Sequence, residues 1–435
     1  MTLSPEPIEP ELVSGPESSD STARRGFILV LAATALVGIC GYVITWLVPR
    51  TIGVSAYAVF ALFWAFVFLV AAALSGVQQE MARASHPHAA SPIAGAGARP
   101  SRFAAAFGGI VLGVLLITGP IWAAVAFRAD GWALVVPLAF GAACYVLLAT
   151  LTGLLYGQSA WDLIFVAILV EGLGRLAIIM LVLAFTHDVV VLAWAVVVPF
   201  ALAFVTTAAL YLRKAIHAHL DVRYRTLSWN VARTVVAAAS MGVLVSGYPL
   251  LLGITSPEVR QDTLGAVILA STLTRAPLIV VGMALQSYLV VFFKSRLTRL
   301  WRSLVVLLLI VVTLGTLLTL AAWLLGPAVF AFLFPDAPHF DGAFMAALVG
   351  SSILVGALCV TAPAVLAMSR HSLFTLGWLT AALTTIIVLV LPLDFMTKTV
   401  ASLVAGPALG LIVHLVGLST IVRHHRMSPV SRVTS

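Results

Sequence analysis

"LVPRTIGVSAYAVFALFWAFVFLVAAALSGVQQEMARA", residues 47–84, has Arg50 near one end and Glu80 and Arg83 near the other, with no charged residue from Thr51 to Gln79. A helix over its apolar part, about 56–77, rises ~1.5 Å per residue and so crosses the ~30 Å hydrocarbon core of a bilayer. The charges then fall at the two interfaces, where long side chains reach water and headgroups at little cost. Apolar and polar residues do not alternate along the run, which excludes the strand of a membrane β-barrel.

The rest of the chain repeats this pattern. Of 435 residues, 62% are hydrophobic and 9% charged, and the mean hydropathy is +1.12. A soluble globular protein of this size needs more polar surface than that. The expected class is an all-α polytopic membrane protein. Twelve apolar runs of membrane length lie at roughly 26–48, 56–77, 103–127, 132–155, 162–185, 189–212, 231–253, 264–293, 303–325, 343–367, 373–393 and 399–421. Cys40, Cys144 and Cys359 all fall inside such runs and read as buried small hydrophobes.

Lys and Arg set the expected orientation. With the N-terminus in the cytoplasm, seventeen basic residues fall in inner segments and four in outer ones (Arg50, Arg128, Arg260 and Lys398), a strong positive-inside bias. The net charge of +8 follows from this placement and calls for no nucleic-acid partner. The expected location is the cytoplasmic membrane, multi-pass, with both termini inside. Residues 1–25, rich in Pro, Ser and Glu, read as a disordered cytoplasmic tail, and 422–435 as a second tail. The segment 213–230, at the midpoint of the chain, is either an amphipathic surface helix near anionic lipid or a solvated linker. It separates a six-helix lobe over 26–212 from a second over 231–421. His217 and His219 in it are two apart and do not share a helical face.

The halves carry a faint repeat. With a shift of 208 residues, Arg25 falls on Arg233, Pro49 on Pro257, Ala58-Val59 on Ala266-Val267 and Gln78 on Gln286. Six helices per repeat leave both halves in the same orientation, as two parallel bundles around a central cavity.

A few residues stand out within the runs. Glu171 and Arg175 are four apart and share a helix face. Each costs about 2.5–3.5 kcal/mol at mid-bilayer when unpaired. They form either an internal salt bridge that fixes packing or a paired site on a cavity wall. Arg275 lies about 11 residues into the eighth run with no acid within a turn or two. Ser271, Thr272 and Thr274 precede it, and Pro277 follows, freeing a carbonyl one turn back. This suits a helix face lining a wet cavity, where an arginine holds phosphate; the alternative is an interhelical partner such as Glu171. His414 reads first as a hydrogen-bonded core residue. Gly109xxxGly113, Gly153xxxGly157 and Gly406xxxGly410 are expected to bring helices close. No P-loop, HExxH or metal-ligand cluster is present, so neither enzyme activity, catalytic residues, a metal nor a cofactor is expected. Coupling to a proton or sodium gradient is the simplest energy source.

The stretch 47–84 resembles the first helical hairpin of bacterial polysaccharide flippases, of the multidrug/oligosaccharidyl-lipid/polysaccharide exporter superfamily. Its Arg50, Gly53 and Tyr57 match the Arg–linker–Gly-x-x-x-Tyr turn, and "GVQQEMARA" matches a Gln followed by Arg. "LTRAPLIVVGMALQSYLVVFF" (273–293) is similar to the eighth helix of that family. The resemblance implies a flippase that moves a polyprenyl-linked glycan across the membrane by alternating access, for surface polysaccharide synthesis. Glycosyltransferases or a polymerase of the same pathway are the implied partners, beside the lipid bilayer itself. The implied substrate contacts are Arg275, Arg175, Glu171, Gln286, Arg50 and Arg83. Rival expectations are a multidrug/cation antiporter of the same fold, which would want acids in its cavity, a membrane glycosyltransferase or ligase, and a non-transporting envelope scaffold.

Overall fold

The computed structural model describes residues 16–85, 97–128, 131–215, 220 and 222–427. Within these, the side chains of 16–25, 27, 213–215, 276–284, 286, 287, 291, 298 and 421–427 lie outside the described set. So do residues 1–15, 428–435 and both linker histidines. All regular structure among the described residues is helical. The α-helices are α1 (Pro16–Ile52), α2 (Val54–Ala84), α3 (Pro100–Phe127), α4 (Gly131–Gly157), α5 (Trp161–Leu183), α6 (Val189–Ala215), α7 (Tyr224–Val245), α8 (Tyr248–Ile254), α9 (Gln261–Lys294), α10 (Leu300–Leu333), α11 (Gly342–Ala367), α12 (His371–Val390) and α13 (Phe395–Met427). Among the described residues, eleven helices are long and apolar enough to cross a membrane. The eighth apolar run lies in α9, 34 residues long. The protein is a multi-pass membrane protein. The bundle has a terminal end, where α1 starts and α13 finishes, and a far end.

Three boundaries differ from the sequence expectation. Helix α1 begins at Pro16, so 16–25 is helical. Helix α7 begins at Tyr224, ahead of the apolar run near 231. The seventh run is also broken. The amides of Ser246 and Gly247 both donate to the Gly242 carbonyl, which ends α7. Pro249, without an N–H to continue the ladder, sits in the first turn of α8. By contrast Pro120, Pro137, Pro199, Pro363 and Pro407 lie inside uninterrupted helices.

Packing reveals the repeat more clearly than the sequence does. In the first lobe α1 packs on α5, α5 on α6, α6 on α4, and α4 on both α2 and α3. The second lobe repeats each pair: α7 on α12, α12 on α13, α13 on α11, and α11 on both α9 and α10. The lobes meet where α2 runs along α7 and crosses α9. A Cβ added to Gly265 would lie 3.3 Å from Ala58 Cβ, and Ala58 is the residue that the 208-residue shift pairs with Ala266. In lipid, helices gain little from hydrophobic burial against one another, so close backbone approach through small residues drives association. Gly153 backs onto the Gln78 carbonyl of α2, and Gly410 onto the Gly377 carbonyl of α12. Gly109 and Gly113 have no neighbour within 4 Å at their Cβ positions, so that motif does not pack a helix as expected.

The cores are asymmetric between the two ends. One continuous apolar cluster at the far end joins both lobes, from Tyr57, Phe60 and Phe127 to Tyr248, Val267 and Phe334. Toward the terminal end the cores divide into separate clusters. Helix α7 is the exception: its Leu227 and Val231 belong to the first lobe's core.

Candidate functional site

A cavity of 1170 Å³ opens between the lobes in the terminal half. The end of α2 forms one wall, with Gln79, Glu80 and Arg83. Helix α7 supplies Trp229, Asn230 and Arg233; α12 supplies His371, Phe374 and Leu376.

Glu80 organises the polar part. Its side chain is only 3% exposed. Arg83 donates to it twice, Nε to Oε2 at 2.8 Å and Nη2 to Oε1 at 2.6 Å. Asn230 of the other lobe donates from Nδ2 to Oε1 at 2.8 Å. One turn along, Thr234 donates from Oγ1 to the Gly76 carbonyl at 2.9 Å. A Cβ on Gly76 would come within 2.5 Å of the Thr234 backbone, so only glycine allows this approach. A buried carboxylate is tolerable when its lone pairs are filled this way. The charge of Glu80 is cancelled by Arg83, and Arg233, exposed on the same wall, leaves the lining cationic.

Beside this lock, the linker clips onto the first lobe. Ala98 N donates to the Val222 carbonyl (2.9 Å) and Leu220 N to the Ala98 carbonyl (3.0 Å). Arg99 N donates to Tyr224 Oη at 3.0 Å. At the far end Arg128 crosses between lobes, donating to the Val259 and Ser256 carbonyls, and Lys398 Nζ donates to the Thr255 carbonyl at 2.7 Å.

The other candidates are dispersed. Arg175 is 3% exposed and donates to Glu171 Oε1 (3.1 Å) and to the Val196 carbonyl (3.0 Å). Its guanidinium lies 5.1 Å from the Phe68 ring centre and 4.8 Å from that of Phe200. It is thus a packing residue tying α5 to α2 and α6. Glu171 turns toward a separate pocket of about 70 Å³ inside the first lobe, with Gln78, Tyr145, Thr152 and Tyr156. Arg275 is 5% exposed, and its Nε has no hydrogen-bond partner. It lies 5.3 Å from the centre of the Tyr248 ring, whose hydroxyl donates to the Thr399 carbonyl at 3.1 Å and lies 3.2 Å from Ser402 Oγ. No salt bridge joins it to Glu171, which is taken by Arg175. Arg50 stands at the far end over the Trp46 ring, 5.0 Å from its centre, and is not brought to the cavity. The Gln286 side chain lies outside the described residues. His414 is buried, with Nδ1 3.1 Å from Thr361 Oγ1.

Sequence reasoning put Arg83 in the candidate set but left Asn230, Thr234, Trp229 and His371 out. Arg233 was visible as the repeat partner of Arg25. Asn230 had no local signal, since its role depends on a residue 150 positions away.

Comparison with known proteins places this arrangement. No family model matches the chain. The uncharacterized protein Rv3630 of Mycobacterium tuberculosis is 30% identical over 410 residues, 93% of either chain. The chain belongs to this mycobacterial family. Rv1510 of the same organism, also uncharacterized, is 30% identical over 408 residues, again 93% of each chain. Among solved structures, an inward-facing multidrug resistance MATE family transporter of the MOP superfamily has a TM-score of 0.67 at 13% identity, covering 93% of this chain and 100% of that one. An outward-facing form gives 0.60, covering 93% of this chain and 97% of that one. The lipid II flippase MurJ, in an inward closed conformation, gives 0.69 at 12% identity, covering 90% of this chain and 87% of that one. The chain therefore has the MATE/MurJ fold.

Proposed function

We propose that the protein is a transporter of the cytoplasmic membrane that moves a polyprenyl-diphosphate-linked glycan from the inner to the outer face by alternating access. The observation that carries this is the 1170 Å³ cavity, cationic and open toward the terminal end, under a far end sealed by one core shared between the lobes. With both termini in the cytoplasm, as the distribution of Lys and Arg supports, this is an inward-facing state. Rocking two rigid lobes about the far-end core would close one side and open the other. The higher similarity to the inward-facing than to the outward-facing transporter fits this state. Arg83 and Arg233 would take the diphosphate, for which arginine's donor fork is suited. The flippase named among the structural neighbours supports a lipid-linked substrate.

An antiporter for cationic drugs is the second reading, favoured by Glu171 on its own pocket. Against it, both Glu80 and Glu171 already hold an arginine. The test is depletion of the protein in its host, with assay of polyprenyl-diphosphate glycans on the cytoplasmic face and rescue by wild type, Arg233→Ala and Arg275→Ala. Accumulation cured by wild type but not by normally expressed Arg233→Ala supports the flippase. Normal glycan export with altered drug tolerance supports the antiporter and sinks the flippase.

A further inference from the structure

The polar groups of the cavity account for only part of its wall. Trp229 and Val236 on α7 and Leu376 and Leu379 on α12 also line it, and these side chains are 66%, 61%, 52% and 37% exposed. On α12 the exposed apolar face continues beyond the cavity through Leu383, Ile387 and Val390, spaced three or four residues apart along one helical stripe. The cavity is thus an open-sided groove whose apolar lip runs into the lipid-facing surface of α12. Its inner end is closed where Met241 meets the second lobe's core around Trp378 and Leu358.

The cause is the lean of α7. In its far half it packs on both lobes, with Leu244 in the cluster of Cys359 and Trp378 and Gly242 against Ala72 of α2. In its terminal half, Leu227, Val231 and Thr234 pack on α2 of the other lobe. This splays α7 from α12 and leaves a wedge between them. Arg83, paired with Glu80, and the exposed Arg233 give the wedge its cationic part, and its apolar lining comes from both α7 and α12.

We infer that this wedge is the lateral binding site of an amphiphile, with its anionic diphosphate head at Arg83 and Arg233 and its hydrocarbon tail leaving the protein between α7 and α12 along Trp229, Val236, Leu376 and Leu379. The inference rests on the flippase reading and adds where the lipid lies. Charge complementarity selects the head, and continuity of the apolar lip with the bilayer-facing stripe selects the tail. A soluble ligand would have no use for an apolar wall open to lipid. The thinly packed seam where α1 of one lobe meets α9 of the other is the rival route for the tail.

The test uses the full chain in lipid nanodiscs and an undecaprenyl diphosphate carrying a diazirine in its tail. After irradiation, adducts are mapped by peptide mass spectrometry. The expected result is labelling of α7 and α12 around Trp229, Val236 and Leu376, competed by unlabelled undecaprenyl diphosphate. The neutral undecaprenol version of the probe should give no competed labelling there. Arg233→Ala should lower the competed labelling about tenfold, the loss of one charge-assisted contact, and Arg233→Lys should retain part of it. Competed labelling that maps to α1 and α9, or that ignores Arg233, overturns the lateral site while leaving the flippase standing. Absence of competed labelling anywhere overturns both.

Discussion

Replacing Glu80 by alanine tests whether the lobes are locked through a buried carboxylate. The substitution removes three hydrogen bonds at 2.6–2.8 Å, two from Arg83 and one from Asn230. Breaking a fully buried pair costs ~3–5 kcal/mol, because the surviving charge is stranded. Here Arg83 is 52% exposed and can regain water, so the cost falls to about 1–3 kcal/mol, mostly from the unpaired Asn230 and the lost charge-assisted bonds. Glu80→Gln retains an oxygen for Asn230 and should fall between wild type and alanine. Arg83→Ala alone strands the carboxylate at 3% exposure and should cost more than Glu80→Ala. The double substitution should then be less destabilised than the sum of the singles by about 1–2 kcal/mol. The assay is reversible unfolding of the purified protein in mixed micelles, repeated at high salt, where the Arg83 contribution should shrink. Additive single effects, or a Glu80→Ala protein as stable as wild type, would refute the lock.

Four further outcomes follow from the packing. Gly76→Val places side-chain atoms against the Thr234 backbone and should destabilise by about 1–3 kcal/mol, with α2 and α7 driven apart, read by the same unfolding assay. Gly109→Ala and Gly113→Ala meet open space and should leave the unfolding midpoint unchanged or slightly raised, whereas Gly410→Ala, facing the Gly377 carbonyl and Ala381, should lower it. Arg175→Leu should destabilise more than Glu171→Leu. The former frees a carboxylate and the Val196 carbonyl, while the latter leaves Arg175 its carbonyl bond and two aromatic rings. Tyr248→Phe keeps the ring under Arg275 but drops the hydroxyl bonds, for a loss of about 0.5–1.5 kcal/mol; Tyr248→Leu should lose more, through the cation–ring contact, in the same measurement.

The run lengths were legible in the sequence because bilayer thickness imposes a length on every crossing segment. The break at Ser246–Gly247 was legible only as Pro249, one of several prolines expected to interrupt the runs, most of which lie inside continuous helices, since "VSGYPLLLGI" is otherwise apolar almost throughout. The Glu171–Arg175 pair was legible as a pair because i and i+4 share a helix face whatever the fold. Whether it faced a cavity or a core was decided by the Phe68 and Phe200 rings and the Val196 carbonyl, which come from other helices. Gly153xxxGly157 packs and Gly109xxxGly113 does not, although the motifs are identical in form: α3 turns Gly109 and Gly113 outward while Gly108 and Gly119 face α4. Periodicity identifies a face, but not what meets it.

The two lobes share their packing yet differ in charge, and the difference points to where an anion would settle. In the first lobe the intramembrane arginine has its own acid, Glu171. Helix α12, the counterpart of α5, carries no Lys, Arg, Asp or Glu to repeat that pair. The second lobe instead buries Arg275 on α9, against Tyr248 and with no acid bonded to it among the described residues, and the 208-residue shift places it opposite the apolar Val67 of α2. The first lobe is therefore electrically closed in its interior, while the second holds an excess positive charge below a cavity wall that already carries Arg233. In a low-dielectric interior an uncompensated cation is felt over a longer distance than in water. An anionic headgroup entering between the lobes would be drawn toward the second, which is also the lobe from whose core α7 leans away. If so, Arg275→Gln should weaken capture of a polyprenyl diphosphate without any contact to it, and should do so more at low salt than at high salt. Equal capture by wild type and Arg275→Gln across that salt range would mean that the charge asymmetry serves packing alone.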